Sequence, residues 1–534
     1  MLTAALDVVG QVPVDTVQSD STKYTTFHPD VPQCQFMAQA VRWTLYKVGM
    51  IANAGNSELA PYYISSNNGG TTTQQYSALV YAAAHLGEGS MYKRFKWSAG
   101  LEVWGGYASS AGYERYIGNG QFEVQKQHPA RVWLQEAYVY GKYRSIFAVA
   151  GQRYKQSPIV NGALSSGDLV WSNNARPPVG LRAGFIDFQD IPFTKGWLQI
   201  KGEFGYFREL DDKWLENHYN YYNHFITTGL WLHYKSLHFR TDPYQPVVLT
   251  IGAQSACQFG GTAKYYKDGQ LDHTVKMKAD AKAFFRTFIA GSGGNSAGDS
   301  FVEGNHLGTW DIALEGHLND DKLLRAYTQW LWEDGSGIGK MNGFDGLWGL
   351  EYRKIDKKPL IESAVIEYID FTNQSGPIHW TPNDHEGTPI TSHSSGADDY
   401  YNNYIYNGYQ SRGMSIGSPF VKSPLYNQDG YMRYRDNMLR GFHVAMKGYL
   451  SSEWTYCLKG SYRKAWGTPI IPRAGNVDDF SIMAQVNFTP WRGGFLGPWT
   501  MTATVAMDRG KLYGNNWGGM LGVTYSSDLN FKKR

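Results

Sequence analysis

Several short constellations in this chain could do chemistry. Gly413-Met414-Ser415-Ile416-Gly417 fits the letters G-x-S-x-G, which expose a nucleophilic serine when a strand precedes them and a helix follows. Here the neighbours are a tyrosine-rich stretch and Ser418-Pro419, so that setting is absent from the pattern. Gly335-Ser336-Gly337-Ile338-Gly339-Lys340 looks like a phosphate loop. Asp334, however, stands where the first glycine belongs, and Met341 follows the lysine, so it reads as a loop or turn. His379, Asp384, His385, Glu386 and His393 could gather around a cation, but a polar exposed loop is the simpler reading. Glu102, Glu203, Glu315 and Glu362 fall on inward faces of strand-like runs, and none forms an isolated acid/base pair. Cys34, Cys257 and Cys457 are odd in number and far apart, which gives no disulfide framework and no zinc spacing. No catalytic residue, metal site or cofactor is predicted, and the chain does not read as an enzyme.

The most unusual internal feature is a repeated nonapeptide. Residues 221–229 read YYNHFITTG and residues 400–408 read YYNNYIYNG. Tyrosine rings offer flat apolar faces to sugar C–H groups, and Asn and Tyr offer hydrogen bonds to hydroxyls. Candidate glycan contacts are therefore Tyr221, Tyr222, Asn223, Tyr400, Tyr401 and Asn402, with Arg412 suited to the carboxylate of an acidic sugar. The other reading is that both segments are strand ends packing an aromatic rim.

These residues must be positioned by strands. From about Tyr76 onward, apolar and polar residues alternate with period two, as in Trp310, Ile312 and Leu314 against Asp311, Ala313 and Glu315. Another such run sets Trp499, Met501, Ala503, Val505 and Met507 against Thr500, Thr502, Thr504, Ala506 and Asp508. There are roughly 17 or 18 runs of about 9–14 residues, a length that suits a tilted strand crossing a bilayer. Many begin or end in aromatics, among them Trp97, Trp104, Trp197, Tyr206, Trp330, Trp332 and Trp499, as an interfacial girdle requires. A tight turn is expected at Gly141-Lys142, and long polar loops at about 109–130, 157–178, 210–227, 259–305 and 372–430. Residues 32–50 suit either a short helix or a first strand.

Composition agrees. The 534 residues include 38 Tyr, 18 Trp, 25 Phe and 60 Gly, yet mean hydropathy is −0.44, as expected if each strand shows one face to lipid and one to a wet interior. A net charge of +3 is too small to imply nucleic acid. No run of about 18 apolar residues suggests a spanning helix. The start MLTAALDVVGQVPV lacks a basic region and is interrupted by Asp7, so a full signal peptide is not visible. The expected fold is an all-β outer-membrane β-barrel of about 18 antiparallel strands. Residues 1–40 form a lead-in and 41–534 a single transmembrane barrel domain.

Ordered segments of the chain resemble the Wzi family of capsule-assembly outer-membrane proteins. They are Pro61-Tyr62-Tyr63-Ile64-Ser65-Ser66-Asn67 with Gly69, Ser172-Asn173-Asn174-Ala175-Arg176-Pro177-Pro178, Ile191-Pro192-Phe193 and Leu232-His233-Tyr234-Lys235-Ser236-Leu237. Asp399-Tyr400-Tyr401-Asn402 to Gly408 and Ile416-Gly417-Ser418-Pro419 complete the series. The resemblance implies an 18-stranded monomeric barrel with a helical element near one rim. It also implies a lectin-like role in binding or anchoring capsular polysaccharide at the surface of a Gram-negative cell. Implied partners are capsular or other surface polysaccharide, outer-membrane lipid and lipopolysaccharide, and the barrel-assembly machinery. Ser172, Asn173, Asn174 and Arg176 are the signature loop, which could equally fix the chain after the 145–155 strand. The family's N-terminal helical bundle and a counterpart for the 259–305 loop are not visible. The alternative function is a porin-like channel for oligosaccharides or anions, since about 18 strands enclose a lumen wide enough for one.

Overall fold

A computed structural model describes residues 42–531, apart from 89–93, 292–301, 320, 334, 339–341, 356–357, 377–378, 383–389, 396–397 and 491–498. The 1–40 lead-in, Cys34 and the Asp384, His385 and Glu386 part of the histidine cluster therefore lie outside the described residues, as do the side chains of His379 and His393.

The period-two runs become the staves of one closed antiparallel sheet. In chain order they are β1 (Arg42–Leu59), β2 (Gln74–Glu88), β3 (Phe95–Ala108), β4 (Val132–Tyr143), β5 (Ile146–Gln152) and β6 (Val179–Phe185). Next come β7 (Leu198–Arg208), β8 (Trp231–Thr241), β9 (Val247–Phe259), β10 (Asn305–Asn319), β11 (Lys322–Trp332) and β12 (Gly346–Lys354). The ring is completed by β13 (Ser363–Asp370), β14 (Leu439–Tyr449), β15 (Trp454–Gly467), β16 (Pro472–Phe488), β17 (Trp499–Gly510) and β18 (Asn516–Phe531). The sheet has 19 segments; Gln189–Asp190 continues β6 along β7, which leaves 18 staves. Each stave pairs with its sequence neighbour, and β18 pairs back onto β1 from Arg42↔Phe531 to Gly55↔Gly518. Closure leaves no unpaired edge, which a strand structure needs in hydrocarbon.

The burial pattern is inside-out. Along β17, Val505 is 63% exposed while its neighbour Thr504 is 2% exposed, and Met501 and Met507 follow Val505 as Ala506 and Asp508 follow Thr504. The same holds on β10, where Trp310, Ile312 and Leu314 are exposed and Asp311 is buried. Apolar side chains cover the outer wall and polar ones face the lumen, so the chain is an outer-membrane β-barrel that crosses the bilayer with strands. Among the described residues, no helix is long and apolar enough to cross.

Long connections gather on one rim, at 109–131, 153–178, 209–230, 260–304 and 371–438, and short ones on the other. By the usual arrangement the long rim is extracellular. Two expectations are corrected in detail. Gly141 and Lys142 lie within β4, and the reversal falls at Arg144, which takes the left-handed φ of 54° and whose N–H donates to the Arg94 carbonyl (2.6 Å). Trp104 is not a girdle residue. It faces the lumen, stacks on Tyr81 (4.6 Å), and its indole N–H donates to Glu102 (2.6 Å), the kind of partner that a buried indole requires.

Candidate functional site

The lumen is filled by two of the long loops. Within the 153–178 loop, Asp168 is a hub: Oδ1 accepts from the N–H groups of Val170 (2.8 Å) and Trp171 (3.0 Å), while Oδ2 accepts from Gln254 of β9 (3.2 Å) and Gln329 of β11 (3.0 Å). Farther round the wall, Asn161 Nδ2 donates to Glu351 of β12 (2.6 Å), Ser166 N–H to Glu367 of β13 (2.7 Å), and His443 Nε2 of β14 lies 2.7 Å from the Leu164 carbonyl. Lumen-facing carboxylates and amides, which alternation forces inward, thus satisfy the orphan backbone groups of the plugging loop. A cavity of about 20 Å³ beside Tyr63, His443 and Lys459 has room for about one water.

The second plug segment is 398–437. Tyr400 and Tyr401 are fully buried there, and Asn402 nearly so. Tyr400 Oη donates to Asp345 (3.0 Å), Tyr401 Oη to the Leu169 carbonyl (2.8 Å), and Asn402 Nδ2 to the Tyr434 carbonyl (2.9 Å). The expectation of glycan contact at Tyr400, Tyr401 and Asn402 is corrected accordingly: their rings and amide are consumed in packing the lumen and present no face to the exterior. The signature loop packs in the same place. Ser172 Oγ donates to the Gly417 carbonyl (2.6 Å), Asn173 O accepts from Gly69 N–H (3.0 Å), and Asn174 Nδ2 donates to the Ser415 carbonyl (3.0 Å). Ser415 is buried in a two-residue strand, Met414–Ser415, which is not a strand-to-helix elbow. The Gly335 stretch forms a four-residue helix, Gly335–Ile338.

The other nonapeptide copy sits at the extracellular face. Tyr221 and Tyr222 are half-buried and Asn223 is exposed. The hairpin Ala111–Gly118/Gln121–Gln127 and the hairpin Gly261–Lys267/Gln270–Met277 flank it. Tyr222 lies 4.7 Å from Tyr116 and 5.2 Å from Phe122; Tyr221 lies 5.0 Å from Tyr266, with the Arg115 guanidinium over its ring at 4.5 Å. Sequence reasoning missed Arg115, Tyr116, Phe122 and Tyr266. The run Tyr113-Glu114-Arg115-Tyr116-Ile117 carried a signal of the same kind as the nonapeptide. Backbone bonds weave these loops into one cap: Glu114 N–H to Gln428 O (2.7 Å), Tyr116 N–H to Asn220 O (2.9 Å), Tyr266 N–H to His224 O (2.7 Å). The two nonapeptides also join each other, since Thr227 N–H donates to Asn407 Oδ1 (3.0 Å) and Thr227 Oγ1 to the Ile405 carbonyl (2.5 Å).

Where plug and cap meet, Arg412 N–H donates to Asp211 (3.1 Å) and its guanidinium to the Leu210 carbonyl (2.6 Å). Burial pushes the Asp211 carboxyl up to about 6, against the pull of Arg412. Burial, with Arg412 nearby, lowers Arg176 to about 9, and that guanidinium lies 5.2 Å from the Trp133 ring. Arg176 and Arg412 thus place two guanidinium groups near one another beside the cap.

Among the described residues, one group could hold a metal ion. His85, Glu102 and Glu136 of β2, β3 and β4 bring ligand atoms within 4.8 Å of one another on the lumen side. Glu102 and Glu136 are direct cross-strand partners, and the row continues through Ala83 to Lys47 of β1. An ammonium in that row already offsets part of the carboxylate charge.

No protein-family model matches the chain, and no curated protein matches it. Solved structures do. Wzi of Escherichia coli, an outer-membrane protein involved in group 1 capsule assembly and a carbohydrate-binding β-barrel, superposes with a TM-score of 0.51 at 11% identity, over 93% of this chain and 86% of that one. OprD of Pseudomonas aeruginosa (TM-score 0.44, 9% identity, 92% and 98% covered) and OccAB2 of Acinetobacter baumannii (0.45, 9%, 91% and 98%) also match. At such identities the likeness concerns the fold: the chain is an outer-membrane β-barrel similar in architecture to Wzi.

Proposed function

We propose that this barrel is a non-enzymatic, lectin-like protein that retains capsular or related surface polysaccharide and assists capsule assembly. The observation that carries this reading is a division of labour between loops. The lumen is packed by 153–178 and 398–437, while the extracellular cap offers Tyr116, Phe122, Tyr221, Tyr222 and Arg115 as one aromatic and cationic surface. Sugar rings stack on such faces, and guanidinium groups suit uronate or pyruvate carboxylates. The carbohydrate-binding character of Wzi supports the same reading. Asn223, Arg412 and Arg176 are secondary contacts at the cap's margin.

The test is binding of the detergent-solubilised protein to a panel of surface polysaccharides that includes the host's own capsule. Tyr222→Ala and Arg115→Ala are each expected to weaken saturable binding by about tenfold, the effect of losing one well-placed anchor. Absence of binding to every polymer, together with steady single-channel conductance in planar bilayers, would replace this reading with the channel.

A further inference from the structure

The outward faces of β7, β8 and β9 change character toward the extracellular rim. In the middle of the wall Phe204, Leu237 and Ile251 are exposed, as lipid-facing residues should be. In the same outward register, His233, Cys257 and Phe259 are fully buried. They are covered by the helix Ala281–Ile289, which the 260–304 loop folds down over the outside of the barrel. Tyr206 Oη donates to the Phe284 carbonyl (2.7 Å), Phe284 meets Trp231 (5.1 Å) and Phe259 (5.0 Å) edge-on, and Phe288 meets Phe204 (5.8 Å).

The free side of this helix carries Phe285 and Ile289, with Phe285 63% exposed, and the partly exposed Phe288 joins them to the wall. An apolar stripe there is continuous with the lipid-facing wall, so it lies in the outer leaflet. At the N-terminal end of the same helix is a groove of about 530 Å³ lined by Arg208, Trp231, Lys276, Lys278, Asp212 and Asp280. Both carboxylates are engaged with backbone: Asp212 accepts from Gly229 N–H (2.8 Å) and Asp280 caps the helix through Ala283 N–H (2.9 Å). Two exposed lysines thus face the groove at the level where headgroups sit, beside the half-buried Arg208, whose guanidinium donates to the Gly229 carbonyl and lies over the Trp231 ring (5.3 Å); Lys282 stands in the first turn of the helix.

We propose that this groove and helix form a binding site for a phosphorylated glycolipid of the outer leaflet, its phosphates held by Arg208, Lys276 and Lys278 and its acyl chains lying against Phe285, Phe288 and Ile289. The site is on the outside of the barrel and is independent of the polysaccharide reading of the cap.

The probe is bisphosphorylated lipid A added to the delipidated, detergent-solubilised protein, with binding read by native mass spectrometry and by the thermal unfolding midpoint. The wild type binds it at least about tenfold more tightly than dephosphorylated lipid A, and Lys276→Glu/Lys278→Glu abolishes that preference. Phe285→Ser/Phe288→Ser weakens the whole lipid while leaving the acyl-free bisphosphorylated disaccharide unchanged. Equal affinity for phosphorylated and dephosphorylated lipid overturns the proposal. So does a preference that survives charge reversal, or an acyl-free disaccharide that binds as tightly as the lipid, which marks a soluble-sugar site. If the double charge reversal does not fold, Lys276→Gln/Lys278→Gln carries the same comparison.

Discussion

At the scale of single residues, burial separates the two Tyr-Tyr-Asn segments. Tyr401 is enclosed by Phe371, Tyr409 and Tyr434, and its hydroxyl is paired with the Leu169 carbonyl. Tyr401→Phe leaves that carbonyl unpaired and is expected to cost about 1–2 kcal/mol, whereas Tyr401→Ala also opens a cavity and should cost about 3–5 kcal/mol. Denaturant titration of the folded barrel distinguishes them; an Ala variant as stable as the Phe variant would contradict the packed lumen. Asp211 gives a pH dependence. Its carboxyl is raised from 3.8 to about 6, so the folded protein keeps a proton that the unfolded chain has lost. Its contribution to stability therefore falls as pH rises from about 4 to about 6 and is level above that. The difference in unfolding midpoint between wild type and Asp211→Asn, followed across that window, is expected to grow in favour of the Asn variant. A difference that shrinks with rising pH would mean that the Arg412 ion pair outweighs burial.

At the scale of elements, strand and loop obey different rules. A stave tolerates change according to which face it shows. Val505→Arg puts a charge on the lipid face of β17 and is expected to cost about 2–4 kcal/mol near the midplane, seen as loss of heat-modifiable migration on gels. The cap depends on backbone weaving. Gly430 has a φ of 72°, and a Cβ there would sit 2.8 Å from the Glu114 carbonyl oxygen and 2.7 Å from the Asn220 Cβ. Gly430→Ala is expected to loosen the cap by about 1–3 kcal/mol while the barrel stays folded. Faster protease nicking in 109–131 and 209–230 without a change in barrel unfolding is the outcome that checks it.

At the scale of the molecule, the question is whether 18 staves enclose a pore. The plug is bonded to β9, β11, β12, β13 and β14, so it cannot swing aside without breaking buried hydrogen bonds around about a third of the wall. The purified barrel is accordingly expected to give no steady conductance in planar bilayers. Excision of both plug segments, 153–178 and 398–437, should open one, as for wide barrels with an aqueous lumen. A wild-type protein that conducts as well as the excised one would refute the plug.

The amino-acid sequence alone determined the barrel, because a side-chain period of two with one apolar and one polar face has few stable solutions other than a wall between lipid and a polar interior. Alternating runs such as Trp310 to Glu315 and Trp499 to Asp508, and the long loops at 109–130 and 372–430, were legible for that reason. The role of the loops was not legible. Residues 221–229 and 400–408 share five of nine letters, yet one copy lies in the cap and the other in the lumen. That difference is set by partners far away in sequence, such as the Tyr401 hydroxyl and the Leu169 carbonyl 232 positions apart. Local pattern carries no information about a hydrogen bond of that span. The burial of the signature loop, the aromatic cap around Arg115 and the helix laid on the outer wall all depend on such pairings, and only the closed tertiary structure decides them.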